Sequence, residues 1–198
     1  MGRYIGTQTL RAYLSPAGNL GTTENALLES CIVRAESAID SYTRRNFAGT
    51  AGTAQYSRYY TDRVRNNAFY LDRDLHTLST LITGISQNIP LGSIWLEPAG
   101  QPPPYRIIRL HSSYVYSWNT DQDMLIAGTW GYGTVPPDDV IQATVRAAAY
   151  YYRGKDSGFG PTDTTGFTEA GEQAFAKSLP DDVRWILSPY RSRSGGII

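Results

Sequence analysis

The sharpest change of structural period in this chain of 198 residues lies between residues 124 and 153. Residues 124–130 have the pattern of a β-strand, and residues 131–137 are dense in turn-forming glycine and proline. An uninterrupted helical pattern begins at Asp138, so a strand runs through a turn into a helix. Asp139 and Gln142 have the spacing of a capping box, which predicts that they fix the start of this helix.

The predicted helix that starts at Asp138 carries apolar residues on nearly every side. Such a helix is buried on several sides, either in the core of a domain or against a second subunit. Its alanines allow close approach of another helix, and its tyrosines suit an interface. Both interpretations stay open on the residues alone. The residues hypothesised to contact a neighbouring subunit are Val140, Ala143, Ala147, Tyr150 and Tyr151.

Helical patterns flank a β-rich centre. A short helix is predicted at residues 7–14, and a long amphipathic helix at residues 24–44, where apolar residues follow a 4,3,4,3 spacing. Residues 48–56 are predicted to be a flexible link. The candidate strands cover residues 56–61, 68–72, 76–83, 93–97, 105–110 and 124–130, and Asn66 and Asn67 predict a turn between the first two.

These patterns predict an α+β fold. Its helical core has two long helices plus short terminal helices, and a small antiparallel β-sheet or barrel is inserted between them. The core covers residues 1–47 and 131–198, and the β-rich insert covers residues 48–130. Residues 154–171 are rich in Gly, Ser, Thr and Asp without periodicity, which predicts a long exposed loop or an arm that becomes ordered on binding.

Composition excludes several classes of protein. The formal net charge is zero, with 18 basic and 18 acidic residues, which argues against coating nucleic acid by bulk charge. Only Lys155 and Lys177 are lysines, and an arginine bias suits pairing at interfaces. Cys31 is the single cysteine, so the chain predicts neither an intrachain disulfide nor a cysteine metal cluster. No apolar stretch is long enough to predict a transmembrane helix.

The sequence shows no catalytic constellation. His76 and His111 are the only histidines, and neither has a metal-ligand spacing. The paired carboxylates at residues 138–139 and 181–182 precede helices, so capping explains them without acid–base chemistry. The GTWGYG run lacks the spacing of a phosphate-binding loop. We therefore predict no enzymatic activity, no metal and no cofactor.

Three stretches carry a resemblance to a known family. GTWGYGTVPPDDVIQATVRAAAYYYR is similar to the signature of the head-tail connector (adaptor) proteins of tailed bacteriophages. TTENALLESCIVRAESAIDSYTRRNF resembles the first long helix of that family, and LPDDVRWILSPYR resembles its C-terminal helix and tail. With the strands between them, the resemblance covers most of residues 22–193. The longer β-rich insert and the loop at 154–171 depart from the family.

The resemblance implies an assembly role in the virion neck. Members of the family form rings, typically of twelve subunits, that dock beneath the portal and extend the DNA channel. The implied partners are further copies of the chain, the portal protein, a tail or stopper protein, and duplex DNA in transit. The chain would be made in the cytoplasm of a bacterial host, with no membrane involved. By likeness to the family, the portal-docking residues are Trp185, Tyr190, Arg191, Arg193, Ile197 and Ile198.

Two other functions stay open at this stage. A stopper-like or other tail-completion protein would share the β-rich insert and should lack the two paired long helices. A β-rich carbohydrate-binding or hydrolytic module would instead use exposed aromatic side chains, for which Trp95, Trp118 and Trp130 are the candidates. Oligomeric size separates these functions from a ring-forming adaptor.

Overall fold

The chain forms two compact units. Unit 1 combines residues 1–45 with residues 136–198, and unit 2 consists of residues 46–135. The computed structural model describes residues 4–16, 20–56, 60–83, 87–111, 116–118, 123–154, 166–167, 173–174 and 179–192. Unit 1 is mainly helical and unit 2 is an antiparallel sheet, so the predicted α+β class is confirmed.

Unit 1 is built around one central helix. Its described helices are α1 (Thr7–Leu14), α2 (Asn25–Thr43), α3 (Asp138–Arg153) and α4 (Asp181–Leu187). The other three helices all contact α3, which explains why apolar residues surround it. None of the described helices is long and apolar enough to cross a membrane.

The amphipathic pattern of α2 produces the packing that its spacing predicts. Leu28, Ile32, Ala35 and Ile39 are fully buried along one side of the helix. The helix ends at Arg44, whose φ of 55° places it in the left-handed conformation common after a helix. One side of α2 therefore belongs to the core of unit 1, and the opposite side is left to face outward.

The start of α3 differs from the predicted capping box. Pro137 precedes the first residue of the helix, and its carbonyl accepts the N–H groups of Val140 and Ile141 at 2.9 and 3.0 Å. No side chain caps the helix, and the carboxylate of Asp139 instead accepts the hydroxyl of Tyr190 at 3.1 Å. The capping-box prediction is therefore wrong, because the helix begins at Asp138 with Pro137 as its N-cap and Asp139 lies inside the first turn.

Unit 2 contains one antiparallel sheet. Its strands are β1 (Thr50–Tyr56), β2 (Val64–Arg65), β3 (Ala68–Thr83), β4 (Gln87–Asn88), β5 (Ile94–Glu97), β6 (Tyr105–Leu110) and β7 (Met124–Trp130). The main order is β1-β7-β3-β6-β5, and β2 and β4 also pair with β3. Two further short strands, β8 (Gly166–Phe167) and β9 (Gln173–Ala174), pair with each other in unit 1.

The long strand β3 organises the sheet. Its first half pairs with β6 and its second half with β7, with irregularities of register along the way. Phe69, Leu75, Leu81, Ile108 and Ile126 lie in the resulting apolar core. The sheet is an open path among the described strands, because β1 and β5 each have one neighbour in the main order.

Three strand predictions need correction. The candidate strand at 56–61 is wrong beyond Tyr56, because Tyr60–Arg63 is a 3₁₀ helix and residues 57–59 lie outside the described residues. Residues 50–56 are strand β1 and not a flexible link, because all seven pair with β7 and the indole N–H of Trp130 donates to the carbonyl of Gly52 at 3.0 Å. The candidates at 68–72 and 76–83 are parts of one strand, β3. The predicted turn at Asn66 and Asn67 is present, and both residues have the positive φ that a tight hairpin turn requires.

Candidate functional site

Unit 1 carries an open groove along the outer side of α2. The groove has a volume of about 760 Å³. It is lined by Ser30, Val33, Arg34, Ser37, Ala38, Ser41 and Tyr42 of α2 and by Tyr151 of α3, and we call it the α2 groove. This lining offers small side chains and hydroxyls with one exposed aliphatic residue, which suits contact with another polypeptide.

The groove follows from the helical spacing of small residues. Ser30, Ser37 and Ser41 recur on one side of α2, away from the buried seam of Leu28, Ile32 and Ile39. Val33 lies among them and is 53% exposed, which is high for an aliphatic residue in a long helix. Small side chains on that side leave room for a chain to approach the helix backbone.

One margin of the groove is fixed by a contact between an arginine and a tyrosine. The guanidinium carbon of Arg34 lies 4.4 Å from the ring centroid of Tyr151, which is a cation–π geometry. Burial raises the pKa of the Tyr151 hydroxyl, and the nearby charge of Arg34 opposes that rise without cancelling it. Tyr151 is therefore protonated at neutral pH, and its hydroxyl can donate a hydrogen bond.

The other end of the groove meets the chain that follows α4. The Tyr42 hydroxyl donates to the carbonyl of Arg184 at 3.4 Å, and the Arg191 guanidinium lies 5.1 Å from the Tyr42 ring centroid. The N–H of Ser192 donates to the carbonyl of Thr43 at 2.8 Å. These contacts hold the chain at residue 192 beside the end of α2.

The structure places three of the six predicted portal-docking residues. Trp185 is 83% exposed on α4, although a tryptophan is a large apolar side chain. Tyr190 is held by its hydrogen bond to Asp139, and Arg191 lies over the Tyr42 ring. The other three predicted residues, Arg193, Ile197 and Ile198, lie outside the described residues.

The hypothesised subunit-interface residues of α3 divide into two groups. Val140, Ala143 and Ala147 are fully buried within the single chain, so their side chains are not available to a neighbouring subunit. Tyr150 is 44% exposed, and Tyr151 is half-buried with its ring centroid 5.7 Å from that of Tyr150. The interface hypothesis therefore needs correction, and it now rests on Tyr150 and Tyr151.

Ligand chemistry has little support among the described side chains. No group of three or more His, Cys, Asp or Glu in this part of the chain could hold a metal ion. Asp182, predicted as a helix-capping carboxylate, pairs with Arg146 at 3.0 Å. The imidazole of His111 packs against Trp95, with ring centroids 3.8 Å apart.

The aromatic residues proposed for a carbohydrate site are not presented together. Trp130 is buried, and the Trp118 ring packs against Phe69 with centroids 5.6 Å apart. Trp95 is 51% exposed and Trp118 is half-buried. A sugar-binding platform needs several accessible rings on one face, so this arrangement does not favour one.

Sequence reasoning missed the α2 groove itself. Its signal is present as Ser30, Ser37 and Ser41 around Val33, but serine on the outer side of a helix is also typical of an ordinary solvated surface. The distinguishing contact, Arg34 over Tyr151, joins two helices that are far apart in sequence. Spacing within α2 could not predict that contact.

Comparison with known proteins shows that the fold of this chain is shared with solved structures. No protein family and no curated protein sequence matches the chain. A chain from the neck of an empty gene transfer agent (GTA) particle, computed with C6 symmetry, is similar with a TM-score of 0.64 at 18% identity. That similarity covers 96% of this chain and 91% of the other.

Two further solved chains are similar. One is from the virion of a native GTA particle, with a TM-score of 0.61, 18% identity and coverage of 94% of this chain and 89% of that one. The other is from the neck of a native GTA particle computed with C12 symmetry, with a TM-score of 0.59 and 18% identity. This match covers 93% of this chain and 87% of that one. All three share the fold of this chain along nearly its whole length.

Proposed function

We propose that this chain is a structural virion protein of a phage-like neck, where it forms a ring docked on the portal. The observation that carries the proposal is the shared fold with a GTA neck chain over 96% of this chain and 91% of that one. A match of that extent includes both units and leaves little of either chain over. The resemblance of three sequence stretches to phage adaptors supports the same assignment.

The ring is proposed to contain twelve subunits. The similar neck chains come from particles whose necks were computed with C6 and C12 symmetry, which is consistent with a closed cyclic assembly. Of the five α3 residues hypothesised for the interface, Tyr150 and Tyr151 are the two that a neighbouring subunit can contact. Tyrosine offers a large rigid ring with a polar tip, and it is enriched at protein interfaces.

The proposed partners follow from a position in the neck. One face of the ring would dock on the portal through the segment that contains Trp185, Tyr190 and Arg191. Arg193, Ile197 and Ile198 complete the docking segment in this proposal. Another face would bind the tail or the next neck protein, and duplex DNA would pass through the lumen. A formal net charge of zero suits a channel that lets DNA slide without strong phosphate pairing.

The structure gives reasons to prefer an adaptor to the alternatives. A stopper-like protein should lack paired long helices, whereas α2 and α3 are long and contact each other. A carbohydrate-binding module is disfavoured because Trp130 is buried and Trp118 packs on Phe69. The proposed role is therefore structural and not enzymatic.

The test is to mix the purified protein with portal-bearing, DNA-filled particles that lack a neck, and to image the particles. We expect a ring of this protein at the portal vertex, with a mass of about twelve copies by the proposed stoichiometry. Particles whose vertex already carries a neck and tail are the control, and they should bind none. Vertices that stay bare in the presence of excess protein would contradict the proposal.

A further inference from the structure

Ser192, the last described residue of the chain, lies at one end of the α2 groove. Tyr42 lines the groove, and the Arg191 guanidinium lies over its ring at 5.1 Å. The N–H of Ser192 is bonded to the carbonyl of Thr43, the last residue of α2. These contacts fix Arg191 and Ser192 beside the groove.

The distances allow these residues to run along the groove. At the rise of an α-helix, Val33 lies about 15 Å from Thr43 along the axis. An extended chain from Ser192 reaches about 16–18 Å by Ile197. The two isoleucines of the segment, Ile197 and Ile198, can therefore lie beside Val33 or any residue between it and Tyr42.

The chemistry of the segment matches the groove. Val33 is 53% exposed and Ala38 is half-buried, so the groove offers apolar surface that is open to water in the single chain. Gly195 and Gly196 have no side chains, which lets their backbone approach the small Ser37 and Ser41 closely. The order of the segment, two glycines and then two isoleucines, matches the order of the lining from Thr43 towards Val33.

We propose that the α2 groove is the docking site for residues 193–198 of the same chain, with Ile197 and Ile198 against Val33. The same chain is favoured over a second copy because the contacts of Arg191 and Ser192 tether the segment at the groove. A short tether gives an effective concentration on the order of millimolar, well above the concentration of free protein in solution.

The inference also bears on assembly, and in this respect it rests on the proposed function. If Ile197 and Ile198 dock on a portal, the groove and the portal compete for the same two side chains. The contact within the free chain does not depend on that function, so a test on the isolated protein separates the two. Failure of the groove contact leaves a ring at the portal unaffected.

The test is disulfide trapping in the full chain with Cys31→Ala as background. Ser37→Cys with Gly195→Cys is the test pair, because Ser37 is exposed, lines the groove and lies where the proposal puts Gly195. Gln142→Cys with Gly195→Cys is the matched control. Gln142 is exposed on α3, within one turn of Asp139, which holds Tyr190, and it faces away from Tyr151. If residues 193–198 do not dock in the groove, the cysteine in this segment can reach positions 37 and 142 alike.

We expect the intramolecular disulfide of the test pair to form roughly tenfold faster than that of the control pair. Adding Val33→Arg at the exposed Val33 should remove most of this difference, since it places a charge where the isoleucines pack. Equal rates for the two pairs would overturn the proposal. Disulfide-linked dimers as the main product of the test pair would also overturn it, because the occupant would then be a second copy.

Discussion

The two units differ in where they place their aromatic side chains. Unit 2 buries Phe47, Phe69 and Trp130, and these rings fill the space around its sheet. Among the described residues of unit 1, Tyr4 is the one aromatic side chain that is buried. Tyr150 and Trp185 are instead exposed, at 44% and 83%.

The contrast has a packing cause. The core of unit 1 around α3 is made by alanines and aliphatic residues, including Ala143, Ala147 and Ile39, which let helices approach closely. Such close packing leaves no room for rings, so rings on the same helices lie outside the core. Unit 2 also exposes two rings, Tyr70 and Trp95, so the units differ in the rings that their cores bury and not in having exposed rings. We predict that the exposed rings of unit 1 are the ones that a partner covers.

The largest effect is expected from a glycine of unit 2. A Cβ at Gly128 would lie 2.0 Å from the backbone carbonyl oxygen of Thr77, so Gly128→Ala must force β3 and β7 apart. We expect a loss of about 3 kcal/mol in the free energy of unfolding, measured by chemical denaturation.

The control for this substitution lies directly opposite in the sheet. Gly52 is the register partner of Gly128, and a Cβ there would meet nothing within 4 Å. Gly52→Ala should change the free energy of unfolding by less than about 0.5 kcal/mol. Similar losses from both substitutions would show that the close contact of β3 and β7 does not limit the stability of unit 2.

A smaller effect, on binding and not on stability, is expected from the exposed tryptophans. Trp185→Ala in unit 1 should weaken attachment to portal-bearing particles by about 2 kcal/mol, or roughly 30-fold, if this ring is a portal-docking anchor. Trp95→Ala in unit 2 is the matched control, since Trp95 is also exposed and should leave attachment unchanged. A loss confined to Trp95→Ala would reverse the roles assigned to the two units.

The smallest effect concerns a polar contact that orients a ring in unit 2. The Tyr56 hydroxyl donates to Asp72 at 2.7 Å, and Arg73 lies 3.6 Å from the same carboxylate oxygen. Partial burial alone raises the pKa of Asp72, but the Tyr56 hydrogen bond and the charges of Arg73 and Arg63 outweigh it and lower this pKa. Burial is the main cause that raises the pKa of the Tyr56 hydroxyl, and its hydrogen bond to Asp72 raises that pKa further.

The lowered pKa of Asp72 determines the sign of a pH effect. Its contribution to stability is fully present above the unfolded pKa near about 4 and is lost as the pH falls through the folded pKa. The side chain is 42% exposed, so solvent screening limits the contribution, and Asp72→Asn should cost about 0.5 kcal/mol at pH 7. In denaturation curves measured at falling pH, the difference in stability between the unsubstituted protein and Asp72→Asn should disappear in acid. In a Tyr56→Phe background this difference should be smaller. A difference that grows in acid would contradict the assignment.

The sequence predicted elements whose signal is local. The spacing of Leu28, Ile32 and Ile39 was enough for α2, and the two asparagines at 66 and 67 were enough for a hairpin turn. β1 was not predictable in this way, since residues 50–56 are mostly small and become a strand only by pairing with β7. The formation of β1 depends on pairing with a strand far away in the sequence, which no local sequence pattern indicates.

The candidate site was predictable only in part. Tyr150 and Tyr151 were identified from composition, but the same reasoning included Val140 and Ala147, which the helices around α3 bury completely. An apolar helix face predicts burial without saying whether the same chain or a neighbour provides the cover. The contacts of Tyr190 with Asp139 and of Arg34 with Tyr151 join segments far apart in sequence, so spacing could not predict them.

The most direct test of the contrast between the units is hydroxyl-radical footprinting of the protein free and bound to portal-bearing particles. Oxidation of each exposed ring reports its access to water. We predict that Tyr150 and Trp185 of unit 1 lose reactivity on binding, while Tyr70 and Trp95 of unit 2, exposed in the free chain, retain theirs. Protection of Tyr70 and Trp95 with no change at Tyr150 and Trp185 would contradict the account.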